Sequence, residues 1–304
     1  MNNRWFKCLS LFLLIATIIS AAGCTSATKV VETRYYALDE FPINPVHRYT
    51  PAVSGDIVVW TDISEGNKDI FGHDLASNDE FPICTNADSQ EDPIIKGDTV
   101  IWHDRRNGNS DIYGYDLSTH TEFAICINSS EQNYYASDGN TVVWQDDRYY
   151  AKWDTDIMGF KLNTREEFTI CNDAHRQTTP SVYGDIVVWI DYRNGNPDIY
   201  VRDMTITNPD EAVFPIITNI SAQQNPFIDG DIVIWEDDRN GNIDLYAYNI
   251  DTNIEFIICD HLSEQRNPVV NGQFVVWQDD RNGEWDIYAY DMDTNTEFQI
   301  CTAP

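Results

Sequence analysis

Gly272-Gln273-Phe274-Val275-Val276-Trp277-Gln278-Asp279-Asp280-Arg281-Asn282-Gly283 decides the fold, because its skeleton, Gly-x-x-Val-Val/Ile-Trp-x-Asp, stands six times in the chain. The tryptophans are Trp60, Trp102, Trp144, Trp189, Trp235 and Trp277, at intervals of 42, 42, 45, 46 and 42 residues. A period of this size, made of strand-like segments between turn signals, predicts propeller blades and excludes a helical solenoid.

Working outward, each repeat divides into four strands. In the last, Asn267 to Asn271 reads as a short inner strand and Gln273 to Gln278 as a second strand, continuously apolar because neighbouring sheets cover both faces. Asp286 to Tyr290 is the third, and Glu297 to Cys301 alternates as the outer strand. Asn282-Gly283 joins the second to the third, since a tight hairpin needs positive φ at both turn positions. The pair recurs at Asn107-Gly108, Asn194-Gly195 and Asn240-Gly241; blade 1 keeps Gly66 and blade 3 breaks the rule. An all-β, six-bladed β-propeller of four-stranded antiparallel blades is therefore expected, with repeats near 50–92, 93–134, 135–179, 180–225, 226–267 and 268–304.

Asp237-Asp238-Arg239-Asn240-Gly241-Asn242-Ile243-Asp244-Leu245-Tyr246 and its copies resemble the Asp-Arg-x-Gly-Asn-x-Asp-Ile-Tyr core of TolB-type propeller repeats. They are more similar still to the variant in archaeal cell-surface proteins, where Val-Val-Trp-x-Asp-x-Arg-Asn-Gly precedes Asp-Ile-Tyr-x-Tyr-Asp. The resemblance runs from about Thr50 to Thr302. It implies the fold and a docking platform or surface module, without naming a ligand.

The 304 residues suffice for one closed all-β domain. With 42% hydrophobic and 12% aromatic residues, the acidity does not signal disorder. The formal charge is −31, or −33 once residues 1–23 are removed with Arg4 and Lys7, which argues against nucleic acid and direct adhesion to anionic lipid. Solubility explains the charge most simply; cation binding or a basic partner are the alternatives.

Arg4 and Lys7, the apolar run Cys8 to Ser20, and Ala21-Ala22-Gly23-Cys24 follow the order of a secretory signal over 1–23. Gly23-Cys24 resembles a lipoprotein lipobox, which implies lipidation of Cys24, an exported protein anchored outside the cytoplasm, and a tether and N-terminal extension over 24–38; Ala21 departs from the usual leucine. Ordinary secretion or an uncleaved anchor is the alternative. The propeller is assigned to 39–304. Asp39-Glu40-Phe41-Pro42-Ile43 repeats the outer-strand pattern Asp79-Glu80-Phe81-Pro82-Ile83, so it either latches the ring or begins a partial seventh blade, the latch being favoured.

Repetition assigns most polar residues to structure. Asp62, Asp104, Asp146, Asp191, Asp237 and Asp279 each lie two after the tryptophan, and Arg106, Arg148, Arg193, Arg239 and Arg281 follow two further on, as an Asp-Arg brace would require. Asp237, Asn240, Asn242 and Asp244 also have the oxygen spacing of weak Ca²⁺ candidates, though without the spacing of an EF-hand; no other cofactor is expected. Gln90, Gln132, Gln177, Gln223 and Gln265 precede the inner strands and are expected around the channel mouth, bonding loop backbone or presenting amides to a ligand. Cys84, Cys126, Cys171, Cys259 and Cys301 share one outer-strand position, filled by Ile217 in blade 4, and read as small buried hydrophobes with free thiols.

No nucleophile elbow, phosphate loop or zinc motif is present, and the six histidines are scattered. Blade 3 breaks the symmetry: its hairpin gains three residues and has Tyr149-Tyr150 in place of Asn-Gly, followed by Lys152, Trp153 and Asp154, and Tyr134-Tyr135 replaces the usual proline. These five rings are expected to form a patch for a sugar or a protein, or to pack on one another. Thr205 to Glu211 reads as a surface loop on the opposite face. The expectation is a non-catalytic, monomeric surface propeller binding an envelope protein or surface glycan. The alternative is a carbohydrate-active hydrolase or lyase, which an unrepeated cluster of acids or histidines at the mouth would favour.

Overall fold

The computed structural model describes residues 48–63, 66–148 and 154–301. Cys24, the Asp39 to Ile43 pattern, Tyr149, Tyr150 and Trp153 lie outside the described residues.

Six four-stranded antiparallel sheets follow one another along the chain, each in simple meander order. Blade 1 comprises β1 (Arg48–Ser54), β2 (Ile57–Asp62), β3 (Asp69–Asp74) and β4 (Asp79–Cys84). Blade 2 comprises β5 (Gln90–Lys96), β6 (Thr99–Asp104), β7 (Asp111–Asp116) and β8 (Thr121–Cys126), and blade 3 β9 (Gln132–Ser137), β10 (Thr141–Asp146), β11 (Asp156–Lys161) and β12 (Glu166–Cys171). Blade 4 comprises β13 (Gln177–Tyr183), β14 (Ile186–Asp191), β15 (Asp198–Asp203) and β16 (Val213–Ile217). Blade 5 comprises β17 (Gln223–Asp229), β18 (Ile232–Asp237), β19 (Asp244–Asn249) and β20 (Ile254–Cys259), and blade 6 β21 (Gln265–Asn271), β22 (Phe274–Asp279), β23 (Asp286–Asp291) and β24 (Thr296–Cys301). First strands of consecutive blades touch, β1 on β5 and β9 on β13 on β17 on β21, so they surround the axis. The architecture is a six-bladed β-propeller.

The continuous apolar run of each second strand is the core. Trp102, Trp144, Trp189, Trp235 and Trp277 are buried, and burying some 200 Å² of indole at about 25 cal/mol/Å² contributes about 5 kcal/mol each. The ring stacks on the tyrosine opposite it in the third strand, Trp102 on Tyr113 and Trp235 on Tyr246, with centroids 6.4 and 6.2 Å apart. Five clusters of such residues lie between consecutive blades from 1 to 6. On the far side of blade 6, Val276, Gln278 and Ile287 are only half-buried, whereas their counterparts Ile234, Glu236 and Leu245 in blade 5 are buried.

Two local details differ from expectation. Inner strands begin two residues earlier than their apolar pattern suggests, because Gln265 pairs with Asp279 and Gln90 with Asp104 across the ladder before a bulge interrupts it. The bulge places Thr50, Asp92, Tyr134, Thr179, Asn225 and Asn267 at φ between 46 and 57°. The blade 4 insertion, in turn, contains one helical turn, α1 (Pro209–Ala212).

Candidate functional site

The loops from each outer strand to the next inner strand meet the hairpins of the blade before. Gln265 N–H donates to the Ile243 carbonyl at 2.8 Å, Gln223 to Pro197, Gln177 to Thr155, Gln132 to Ser110 and Gln90 to Lys68. Hairpins and crossing loops thus form one face, where the repeated polar residues gather.

The Asp-Arg brace is present and wider than expected. Arg281 Nε and Nη2 bind Asp279 at 2.9 and 2.6 Å, Nη1 reaches Glu297, and Nη2 also donates to Cys259 Sγ of the preceding blade at 3.2 Å. Trp277 Nε1 donates to the same aspartate at 3.0 Å, and the guanidinium lies 4.0 Å over the Tyr288 ring. Burial opposes the Asp279 charge, but the bonds from Arg281 and Trp277 outweigh it and hold the carboxyl below its ordinary range. Arg106, Arg148 and Arg193 repeat the contact to Cys84, Cys126 and Cys171. Burial pushes the Cys84 and Cys259 thiols up to about 12 and Cys171 to about 11, so all three stay protonated. Cys301 ends β24 and is only partly buried, unlike the other four.

Blade 1 has no hairpin arginine. Its inner strand supplies one instead: Arg48, the register partner of Asp62, occupies the position that glutamine holds in the other five blades. Arg48 Nε donates to Asp62 Oδ2 at 3.0 Å and Nη2 to Glu80 at 3.0 Å.

The five glutamines do not present amides at the surface. Gln90, Gln132, Gln177, Gln223 and Gln265 are fully buried, and each Nε2 donates to the carbonyl two residues earlier, as from Gln265 to Ser263 at 2.8 Å. They serve the loop backbone, because the preceding blade's hairpin closes over them, and the ligand-binding expectation for them is corrected.

The Ca²⁺ candidates of blade 5 are likewise committed. Asp244 Oδ1 accepts from Asn242 Nδ2 at 2.5 Å and Oδ2 from Asn240 Nδ2 at 2.6 Å, so amide protons stand where a cation would have to. Asn242 Nδ2 also donates to the carbonyls of His261 and Ser263, both at 2.9 Å, and Asn240 to the Tyr246 hydroxyl. Among the described residues no three His, Cys, Asp or Glu side chains are grouped to hold a metal.

Of the blade 3 rings, Tyr135 is partly buried; its hydroxyl donates to the Asp92 carbonyl of blade 2 and its ring meets His103 edge-on at 4.6 Å. Its expected role at the surface is corrected: it takes the proline's position and fills the junction. Burial also lowers the His103 basicity. Tyr134 is 59% exposed and holds φ 48°, an uncommon conformation for a bulky side chain.

Two exposed residues on the same face are missed by repeat reading. Ile220 is 96% and Leu262 92% exposed, each on a crossing loop where the equivalent turns carry Ala87, Ser129 and Ala174. Aligning the loops rather than the strands exposes the difference. A cleft of about 490 Å³ between blades 5 and 6, lined by Ile254, Phe256, Tyr290 and Met292, lies toward the opposite face.

Solved structures with the same arrangement include an oligogalacturonate lyase in complex with manganese, at TM-score 0.62 and 13% identity over 81% of this chain and 74% of that one. Another is the oligogalacturonate lyase of Vibrio parahaemolyticus, at TM-score 0.63 and 13% identity over 84% and 78%. TolB from Acinetobacter baumannii aligns at TM-score 0.54 and 18% identity over 81% of this chain and 64% of TolB. What is shared is the propeller. At these identities the likeness is one of fold, which hosts many unrelated functions. No family model and no curated protein matches the chain.

Proposed function

We propose that this chain is an exported propeller, tethered to a membrane through Cys24, that binds another protein through its loop face. The observation that carries the reading is the placement of Ile220, Leu262 and Tyr134, three exposed apolar or aromatic side chains on one face whose repeated polar groups are consumed internally. Exposed apolar groups on an otherwise polar surface mark interaction sites, whereas catalysis needs unrepeated, converging polar groups. Aliphatic projections favour a protein over a glycan. Export and anchoring rest on the charged, apolar and small-residue order ending at Gly23-Cys24.

The test measures binding of the soluble mature chain to individual purified envelope proteins and to a glycan array, beside a variant with Tyr134→Ala, Ile220→Ser and Leu262→Ser. Loss of protein binding at unchanged Tm supports the reading. Undiminished binding by the triple variant defeats it, and cleavage of oligogalacturonate would put the lyase alternative in its place. Cys24→Ser should release the protein from the membrane fraction; unchanged sedimentation would refute the anchor.

A further inference from the structure

In four blades the second asparagine of the hairpin sits in a nest of oxygens. Asn67, Asn109, Asn196 and Asn242 each point Nδ2 at one carboxylate oxygen of the aspartate two residues on and at two main-chain carbonyls of the crossing loop. The twelve distances lie between 2.5 and 3.2 Å. The carbonyls belong to the residues four and two before the repeated glutamine, so the nest is three acceptors around one donor.

Blade 3 keeps the acceptors and removes the donor. After its longer hairpin the chain is back in register at Thr155, whose carbonyl accepts the Gln177 N–H at 2.8 Å as that of Ile243 accepts Gln265. The residue at the asparagine position is then Asp154, and the aspartate two on is Asp156. The equivalent carbonyls are those of Asp173 and His175; Gln177 Nε2 donates to that of His175 as its counterparts do to theirs, and to that of Asp173 at 3.4 Å. Among the described residues the Asp156 side chain, 6% exposed, accepts no hydrogen bond, unlike Asp244 with its two amides.

We propose that blade 3 binds a divalent cation, Ca²⁺ by its ligand chemistry, between the Asp154 and Asp156 carboxylates and the main-chain carbonyls of Asp173 and His175. All four groups are hard oxygen donors, two of them anionic, and bidentate carboxylates and water complete the six to eight oxygens Ca²⁺ takes. Mg²⁺ is disfavoured because it demands near-ideal octahedral geometry and dehydrates reluctantly. The nearby Arg148 does not compete, since Asp146 and Glu167 hold its guanidinium at 2.7 and 2.6 Å. Asp173 offers its carbonyl only; its carboxylate is taken by His175 and Arg193. This site is independent of the loop-face binding reading.

The experiment uses the mature chain stripped with chelator, titrated with CaCl₂ by calorimetry and followed by Tm, with MgCl₂ as comparison. One Ca²⁺ per chain is expected, with affinity in the range of about 0.1–1 mM typical of extracellular modules, and a Tm that rises by several degrees at saturation. Asp154→Asn restores the amide of the other blades, so it should fold at least as stably without metal while losing the Ca²⁺ heat and the Tm response. A stripped wild type that binds no Ca²⁺ at millimolar concentration, or an Asp154→Asn variant that binds as wild type does, overturns the proposal.

Discussion

Arg48 Nε donates to Asp62 Oδ2 at 3.0 Å, from the strand position where the other five blades carry glutamine. The arginine that four other blades anchor through both carboxylate oxygens from two residues beyond the aspartate is here delivered from the facing strand. Asp62 is buried, so it needs the partner more than it needs a particular route to it. Arg48→Gln should destabilise the fold by about 1–2 kcal/mol, less than the roughly 3–5 kcal/mol of a fully buried pair because Arg48 is partly exposed and screened. Adding Ser64→Arg, which places arginine two after Asp62, should recover most of the loss. Denaturant titration of both variants decides: no recovery in the double variant means that the two positions are not equivalent.

The Asp279–Arg281 brace makes stability pH-dependent in a set direction. Its carboxyl is held below the ordinary range when folded, so the native state binds fewer protons than the unfolded chain. The stabilisation is therefore fully present above about pH 4, the unfolded value, and is lost as pH falls through the lower folded value. Arg281→Lys keeps the charge but loses the fork on Asp279 and the contact to Cys259, and should cost about 2 kcal/mol at pH 7. That difference should shrink below pH 4 when Tm is followed across pH. A constant difference would mean that the lysine loses packing and not the ionised pair.

The four thiols of Cys84, Cys126, Cys171 and Cys259 are buried under arginines and should stay inert. Thiolate is the reactive form, and burial keeps it scarce at pH 8 despite the adjacent guanidinium. Iodoacetamide followed by mass spectrometry should label none of them in the native protein and all four in denaturant. Rapid native labelling of any one would contradict its placement.

Tyr135 and Tyr134 should separate in their effects. Tyr135→Phe removes the hydroxyl bond to Asp92 across the blade 2–3 junction and should lower stability by about 1 kcal/mol. Tyr134→Gly relieves a left-handed backbone at the cost of the contacts of a side chain that is 59% exposed, so the two effects should roughly cancel and stability should change little. Thermal melts of the two single variants test the pair; a larger loss at Tyr134 would reverse the assignment.

The blade follows from local sequence: its four strands, its hairpin at Asn282-Gly283, its apolar Trp277 strand and its sixfold count. Those depend on neighbours a few residues apart, where alternation, turn chemistry and a continuous apolar run have a direct conformational meaning. The brace from Asp279 to Arg281 was legible for the same reason. Packing between blades fixes the rest, the fate of residues whose partners lie some twenty or forty residues away. Gln265 looks presented in sequence and is buried because the hairpin at Ile243 closes over it. Arg48 reads as an unremarked basic residue until pairing sets it opposite Asp62. Asp154 looks like one more acid until the crossing loop brings two carbonyls to its position, because only blade-to-blade packing fixes whether an acceptor meets a donor or more acceptors.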